Sequence, residues 1–221
     1  MNKTKKVQEK NTKKKSKKKI IIILLIVVAI LVVGFLVYKF VFKKTNTSDS
    51  IFTENTLNTI DNYGITLSDK DTELYKEEYE KLKSNLESNN IDYDAYAESI
   101  AKLFIIDLYT IDNKLNKYDV GGVEFVYPNN LDNYKLNVED TLYKYVENNG
   151  DNKRTQDLPE VKSITVKSVK NTQYEIKSEN QKYDAYDFRL SWDYTEKNDY
   201  DNEGEVIVIN KDNKMYVVEK N

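Results

Sequence analysis

The chain has 221 residues and a net charge of −3, with 18 Tyr, one Trp, no Cys and no His. The missing Cys excludes disulfides, thiolate metal sites, a thiol nucleophile and a lipid-modified cysteine; the missing His removes the commonest general base and zinc ligand. Residues 1–44 hold 13 Lys against the single acid Glu9, a local charge of +12 that leaves about −15 for the rest.

These two parts suit different partners. The basic part matches anionic lipid headgroups. The acidic part repels nucleic-acid phosphates, so no nucleic acid is expected on it.

Residues 1–19 show no apolar periodicity and read as a disordered basic tail. Nucleic-acid binding is the alternative use of its lysines, but a topology signal explains them equally. Ile20–Tyr38 is 19 residues without a charge, an amide or a Pro. At about 1.5 Å per helical residue it nearly crosses a hydrocarbon layer of about 30 Å. A cleaved signal peptide would have a shorter apolar region and a small-x-small site, and neither is present. The expectation is a single-pass signal anchor over 20–42, with Tyr38, Phe40 and Phe42 among Lys39, Lys43 and Lys44 as an interfacial collar. The lysine bias places the N-terminus in the cytoplasm and the C-terminal domain outside the cell membrane. Residues 43–62 read as a polar spacer and 63–221 as the extracytoplasmic domain.

Within that domain, Ser68-Asp69-Lys70-Asp71 has the form of a capping box. Tyr75, Tyr79, Leu82 and Leu86 follow at helical spacing and predict a helix over 69–88. Asp92 or Asn90 caps a second helix over 92–114, whose apolar stripe widens in the middle and marks it as the most buried. Gly121-Gly122 turns the chain, and Val123–Tyr127 alternates as a short strand. Pro128 leads into a third helix over 131–148, with Tyr134, Val138, Leu142, Tyr145 and Val146 facing inward.

From Glu160 the period becomes two. Ile164 and Val166, then Tyr174 and Ile176, predict two strands turning near Asn171. Tyr186, Phe188, Leu190, Trp192 and Tyr194 alternate with Ala185, Asp187, Arg189, Ser191 and Asp193, giving a strand with one buried and one wet face. Glu205–Ile209 and Met215–Val218 form a last hairpin. Helices followed by antiparallel strands make the class α+β, three helices on a sheet.

The order of elements over Tyr63–Val218 resembles the nuclear-transport-factor-2-like (NTF2-like) fold. In that fold a curved sheet wraps a helix and encloses a cone-shaped cavity. With its anchor the chain also resembles the VirB8-like proteins of type IV secretion and conjugation, and their Gram-positive TcpC-like counterparts. It has no Asn-Pro-x-Gly loop of the VirB8 type. Tyr96–Val126, YAESIAKLFIIDLYTIDNKLNKYDVGGVEFV, and Thr141–Asn148, TLYKYVEN, resemble membrane-anchored proteins of low-GC Gram-positive bacteria. The resemblance implies a non-enzymatic scaffold that binds other envelope proteins, in a conjugative or secretion-type complex, with a homo-oligomer among its expected assemblies. The alternative is a ligand-binding sensor for a lipid, peptide or glycan held in the cone.

The candidate pocket lining is Tyr93, Tyr96, Phe104, Tyr109, Tyr186, Phe188 and Trp192, with core packing as the competing role for each. No catalytic, cofactor or metal residue is assigned, and no cofactor is expected. Asp199-Tyr200-Asp201-Asn202-Glu203-Gly204 begins like a calcium loop, but Asn210 stands where the bidentate Glu is needed, so a polar turn is the reading. Asp107, Asp112 and Glu98 read as solvated helix-face charges rather than an acid–base pair. Arg189 is expected to pair with Asp187 or Asp193. An enzyme would have to work with Asp, Glu, Tyr and Lys alone.

Overall fold

A computed structural model of the protein describes residues 55–221; the tail, the anchor and most of the spacer lie outside the described residues. Among those described, no helix is long and apolar enough to cross a membrane.

The fold begins with a hairpin, β1 (Thr56–Ile60) and β2 (Ile65–Ser68). Three helices follow: α1 (Glu73–Leu86), α2 (Tyr93–Tyr109) and α3 (Leu131–Asp140). A four-stranded antiparallel sheet completes it in the order β3 (Val161–Ile176), β4 (Gln181–Tyr194), β5 (Glu203–Lys211) and β6 (Lys214–Lys220). The α+β class, with three helices and an antiparallel sheet, is as the sequence predicts.

The α2 helix is the centre. Its N-cap is Asp92, whose carboxylate accepts from the Asp94 and Ala95 amides at 3.0 and 3.1 Å. Ile100, Ala101, Leu103, Phe104 and Ile105 are at most 1% exposed, because α1 covers one side and the sheet the other. From the sheet, Phe188, Leu190, Trp192, Val206, Val208, Met215 and Val217 join this core.

Several boundaries differ from the sequence expectation. Residues 56–60, assigned to the spacer, form β1, and Ile60 is buried. The α1 helix starts at Glu73 with Thr72 as its N-cap, its Oγ1 accepting from the Tyr75 amide at 3.3 Å. Ser68 and Asp71 do bond, the Ser68 amide donating to the Asp71 carboxylate at 2.6 Å, but they close a turn after β2. The α2 helix ends at Tyr109 because the Ile111 amide leaves to bond Pro159 O at 2.8 Å. Val123–Phe125 is a 3-10 turn, and only Val126 bridges β6, in parallel with Val217. The α3 helix stops at Asp140, where Thr141 adopts φ −120°, ψ −89°. That shift of phase buries Tyr143 and leaves the predicted inward Tyr145 77% exposed.

The two strands expected to turn at Asn171 are one 16-residue strand, paired with β4 from Val161↔Tyr194 to Ile176↔Gln181. Its hairpin turn lies at 177–180, where Asn180 takes φ 50°. The other face of the sheet is not simply wet either. Ala185 packs there with Tyr127, Ile176, Tyr183 and Ile209 in a second apolar cluster.

Candidate functional site: a cleft between α3 and the β6 edge

The C-terminal half of α2 supplies a floor of Phe104, Leu108 and Tyr109 to a cleft of about 560 Å³. The bridge between Val126 and Val217 closes the floor beside it, tied by the Tyr127 amide donating to Val217 O at 2.8 Å. Pro128 then turns the chain into α3, which forms one wall. A Pro at the start of a helix has no amide to leave unpaired there.

Of α3 only Val138 is fully buried. The helix is held by Tyr134, whose hydroxyl donates to Gly121 O at 2.6 Å and whose ring lies 5.7 Å from that of Phe104. Asn130, Asn133, Asn137 and Thr141 recur at spacings of three, four and four, and all line the cleft. This makes a polar stripe beside the apolar one of Tyr134, Val138 and Leu142. Asn130 is fixed by donating to Val218 O at 3.3 Å. The opposite wall carries Asp201, Glu219 and Lys220.

At that wall the charges are arranged around one ring. Lys220 Nζ is 3.8 Å from the Asp201 carboxylate and 5.2 Å from the centre of the Tyr109 ring. Tyr109 donates to Asp201 Oδ2 at 3.4 Å and packs on Trp192 with ring centres 4.7 Å apart. Burial pushes the Tyr109 and Tyr134 hydroxyls above the usual phenol range. Both therefore stay protonated at neutral pH. A volume in the range of about 300–1,000 Å³, an apolar floor and a few convergent amides are the properties of a binding cleft.

The structure separates the seven aromatics chosen from the sequence. Phe104 and Tyr109 back the cleft floor and are core residues as well, 0 and 1% exposed. Tyr96, Phe188 and Trp192 are core residues, 1–2% exposed. Tyr93 and Tyr186 make separate bonds, Tyr186 donating to Asp94 at 2.8 Å and Tyr93 to Asn213 at 3.3 Å. The asparagine stripe of α3 has a legible spacing but no apolar signal, and Asn on a helix reads as solvated surface.

Asp107 is not a solvated charge. Its carboxylate pairs with buried Lys114 and accepts from the Gly122 amide at 2.6 Å. Asp71, Asp119 and Glu124 line the same polar cavity of about 270 Å³. Burial raises the carboxyls of Asp71 and Glu124 above their ordinary values, against hydrogen bonds to Glu124 from the Thr66 amide and hydroxyl. Among the described residues, no group of three or more acidic residues is placed to hold a metal ion. The bonds around the cavity, Thr66 to Glu124, Asn113 to Lys70 O, and Lys114 and Gly122 to Asp107, brace β2, the turn into α1, α2 and the loop after it.

Glu98 pairs with Lys102, and Asp112 lies 3.7 Å from Arg154. Arg154 is the built-in arginine: its guanidinium donates to Asp112 O, Lys114 O and Glu147 O. Arg189 pairs with neither Asp187 nor Asp193; Asp193 instead accepts from Ser163 at 2.9 Å. In the loop at 199–204, the Asp201 carbonyl accepts from Tyr194 and the Asn202 carbonyl from the Trp192 amide. Those oxygens serve the protein's own turn.

No protein-family model matches the chain, and no curated protein or solved structure matches it.

Proposed function

We propose that the chain is a membrane-anchored, extracytoplasmic binding domain that docks a short, largely apolar peptide segment of another envelope protein in the cleft between α3 and β6. The observation that carries this reading is the pairing of two parallel stripes on the cleft. The apolar floor would take side chains, and the Asn130, Asn133, Asn137 and Thr141 stripe would meet the peptide main chain. Helices preceding a sheet that packs on α2 support an NTF2-like fold for the domain. The apolar run Ile20–Tyr38 supports the anchor. Membership of a conjugative or secretion complex rests on the resemblance alone, and the partner recovered would decide it.

A photo-crosslinking amino acid at Asn133, in the full chain in its own membrane, is expected to capture a protein. Asn137→Trp, which fills the cleft from its exposed wall, should abolish capture. Capture of lipid alone, or capture indifferent to Asn137→Trp, overturns the reading.

A further inference from the structure

The two edges of the sheet differ. On the β6 side the edge is covered by the Val126 bridge, by the Tyr127 amide on Val217 O and by Asn130 on Val218 O. On the other side β3 pairs with β4 only. A strand edge left bare offers a row of main-chain donors and acceptors to any extended chain that fits.

The strand is 16 residues long; the end of α2 covers its start, where the Val161 amide donates to Thr110 Oγ1 at 3.3 Å, but 167–171 is exposed throughout, with Val169 at 52%. Its charge is also out of character. Within a region of net charge about −15, β3 carries Lys162, Lys167 and Lys170 against Glu175 alone. Among the described residues none of these three lysines joins an ion pair, whereas the lysines of α1 and α2 at 76, 81, 83 and 102 all do.

Charge decides what can pair here. A second copy docking β3 against β3 would set lysines beside lysines, and like charges across a strand pair destabilise it. The lysines thereby protect the edge from self-association. The same lysines favour a strand of opposite sign. A bulge between Val166 and Ser168 adds twist, which limits a flat, open-ended stack.

We propose that the free edge of β3 receives an extended acidic segment of a partner protein as a fifth strand of the sheet. Main-chain bonds supply the attachment and Lys162, Lys167 and Lys170 select the sign of charge. This surface is independent of the α3 cleft and does not require it to be occupied.

The test uses the full chain in detergent micelles and hydrogen–deuterium exchange over 161–176. The probe is a capped peptide of about six residues alternating Glu and Val, a typical strand length. It should slow exchange across β3 several-fold and lose that effect at about 1 M salt, where the screening length is about 3 Å. The matching Lys–Val peptide should have no effect. A Glu–Val peptide N-methylated at alternate residues keeps its charge but cannot ladder, and it should also have none. A combined Lys162→Glu, Lys167→Glu, Lys170→Glu variant should reverse the preference to the Lys–Val peptide. No slowing by the Glu–Val peptide, equal slowing by the N-methylated or Lys–Val peptide, or protection confined to 130–142 would each overturn the proposal.

Discussion

Lys211 Nζ lies 2.8 Å from Glu179 Oε2 and 4.9 and 5.2 Å from the centres of the Tyr127 and Tyr183 rings. Glu179 also accepts from Tyr127, from Tyr183 at 2.6 Å and from Asn129 at 3.1 Å. One carboxylate thus ties the turn after β3 to the end of β5 and to the segment entering α3. Sequence separations of 32 and 52 residues join at this point.

This network gives the domain an acid dependence. The bonds from Lys211, then Tyr127 and Tyr183, hold the Glu179 carboxyl at about 2, below its ordinary 4.5. A depressed carboxyl contributes stability that is complete above the unfolded value and is lost as pH falls from 4.5 towards 2. Denaturation of wild type and Glu179→Gln across that window should show the gap between them closing as the pH drops. A constant gap would refute the linkage.

Tyr143 is fully buried; it donates to Leu108 O at 2.8 Å and accepts from the Gly121 amide at 3.4 Å. Tyr143→Phe leaves both main-chain groups without that partner in a buried site. Urea unfolding should show a loss of about 1–3 kcal/mol. A loss below about 0.5 kcal/mol would mean that water replaces the hydroxyl.

Two glycines should both resist substitution, for different reasons and by different amounts. A Cβ on Gly121 would stand 2.1 Å from Asp107 O, which is backbone and cannot yield cheaply. Gly121→Ala should cost at least about 3 kcal/mol, the upper end of overpacking, or prevent folding. Gly64 has open space but φ +72°. Gly64→Ala should cost only about 1–2 kcal/mol, the left-handed penalty of an L residue. Thermal melts of both variants compare the two costs directly.

Trp192 is the only tryptophan and lies against Tyr109, which lines the cleft. Its Nε1 donates to Tyr194 at 2.8 Å. Binding in the cleft should shift the intrinsic fluorescence of the native chain, and Asn137→Trp is unsuitable for that readout because it adds a second emitter. Trp192→Phe should silence the signal while leaving binding in place.

The sequence by itself determined the class, the central place of α2, the main-core face of β4 and the last hairpin. Each depends on periodicity within one segment: a stripe that widens around Ile100–Ile105, or alternation from Tyr186 to Trp192. The Asn130, Asn133, Asn137 stripe is equally local, but amides on a helix carry no apolar signal to mark it. What the tertiary structure decided was set by partners far along the chain. Pro159 ends α2 at Tyr109, and β4 holds Val161–Ile176 as one strand where local alternation suggested a turn. Tyr143 displaces Tyr145 from the core because Leu108 and Gly121 offer its hydroxyl a bond. Asp107 changes from surface charge to half-buried brace because the loop after α2 folds Lys114 back onto it. A hydrogen bond or ion pair forms where two groups meet in space, and no period along the chain records which distant group arrives.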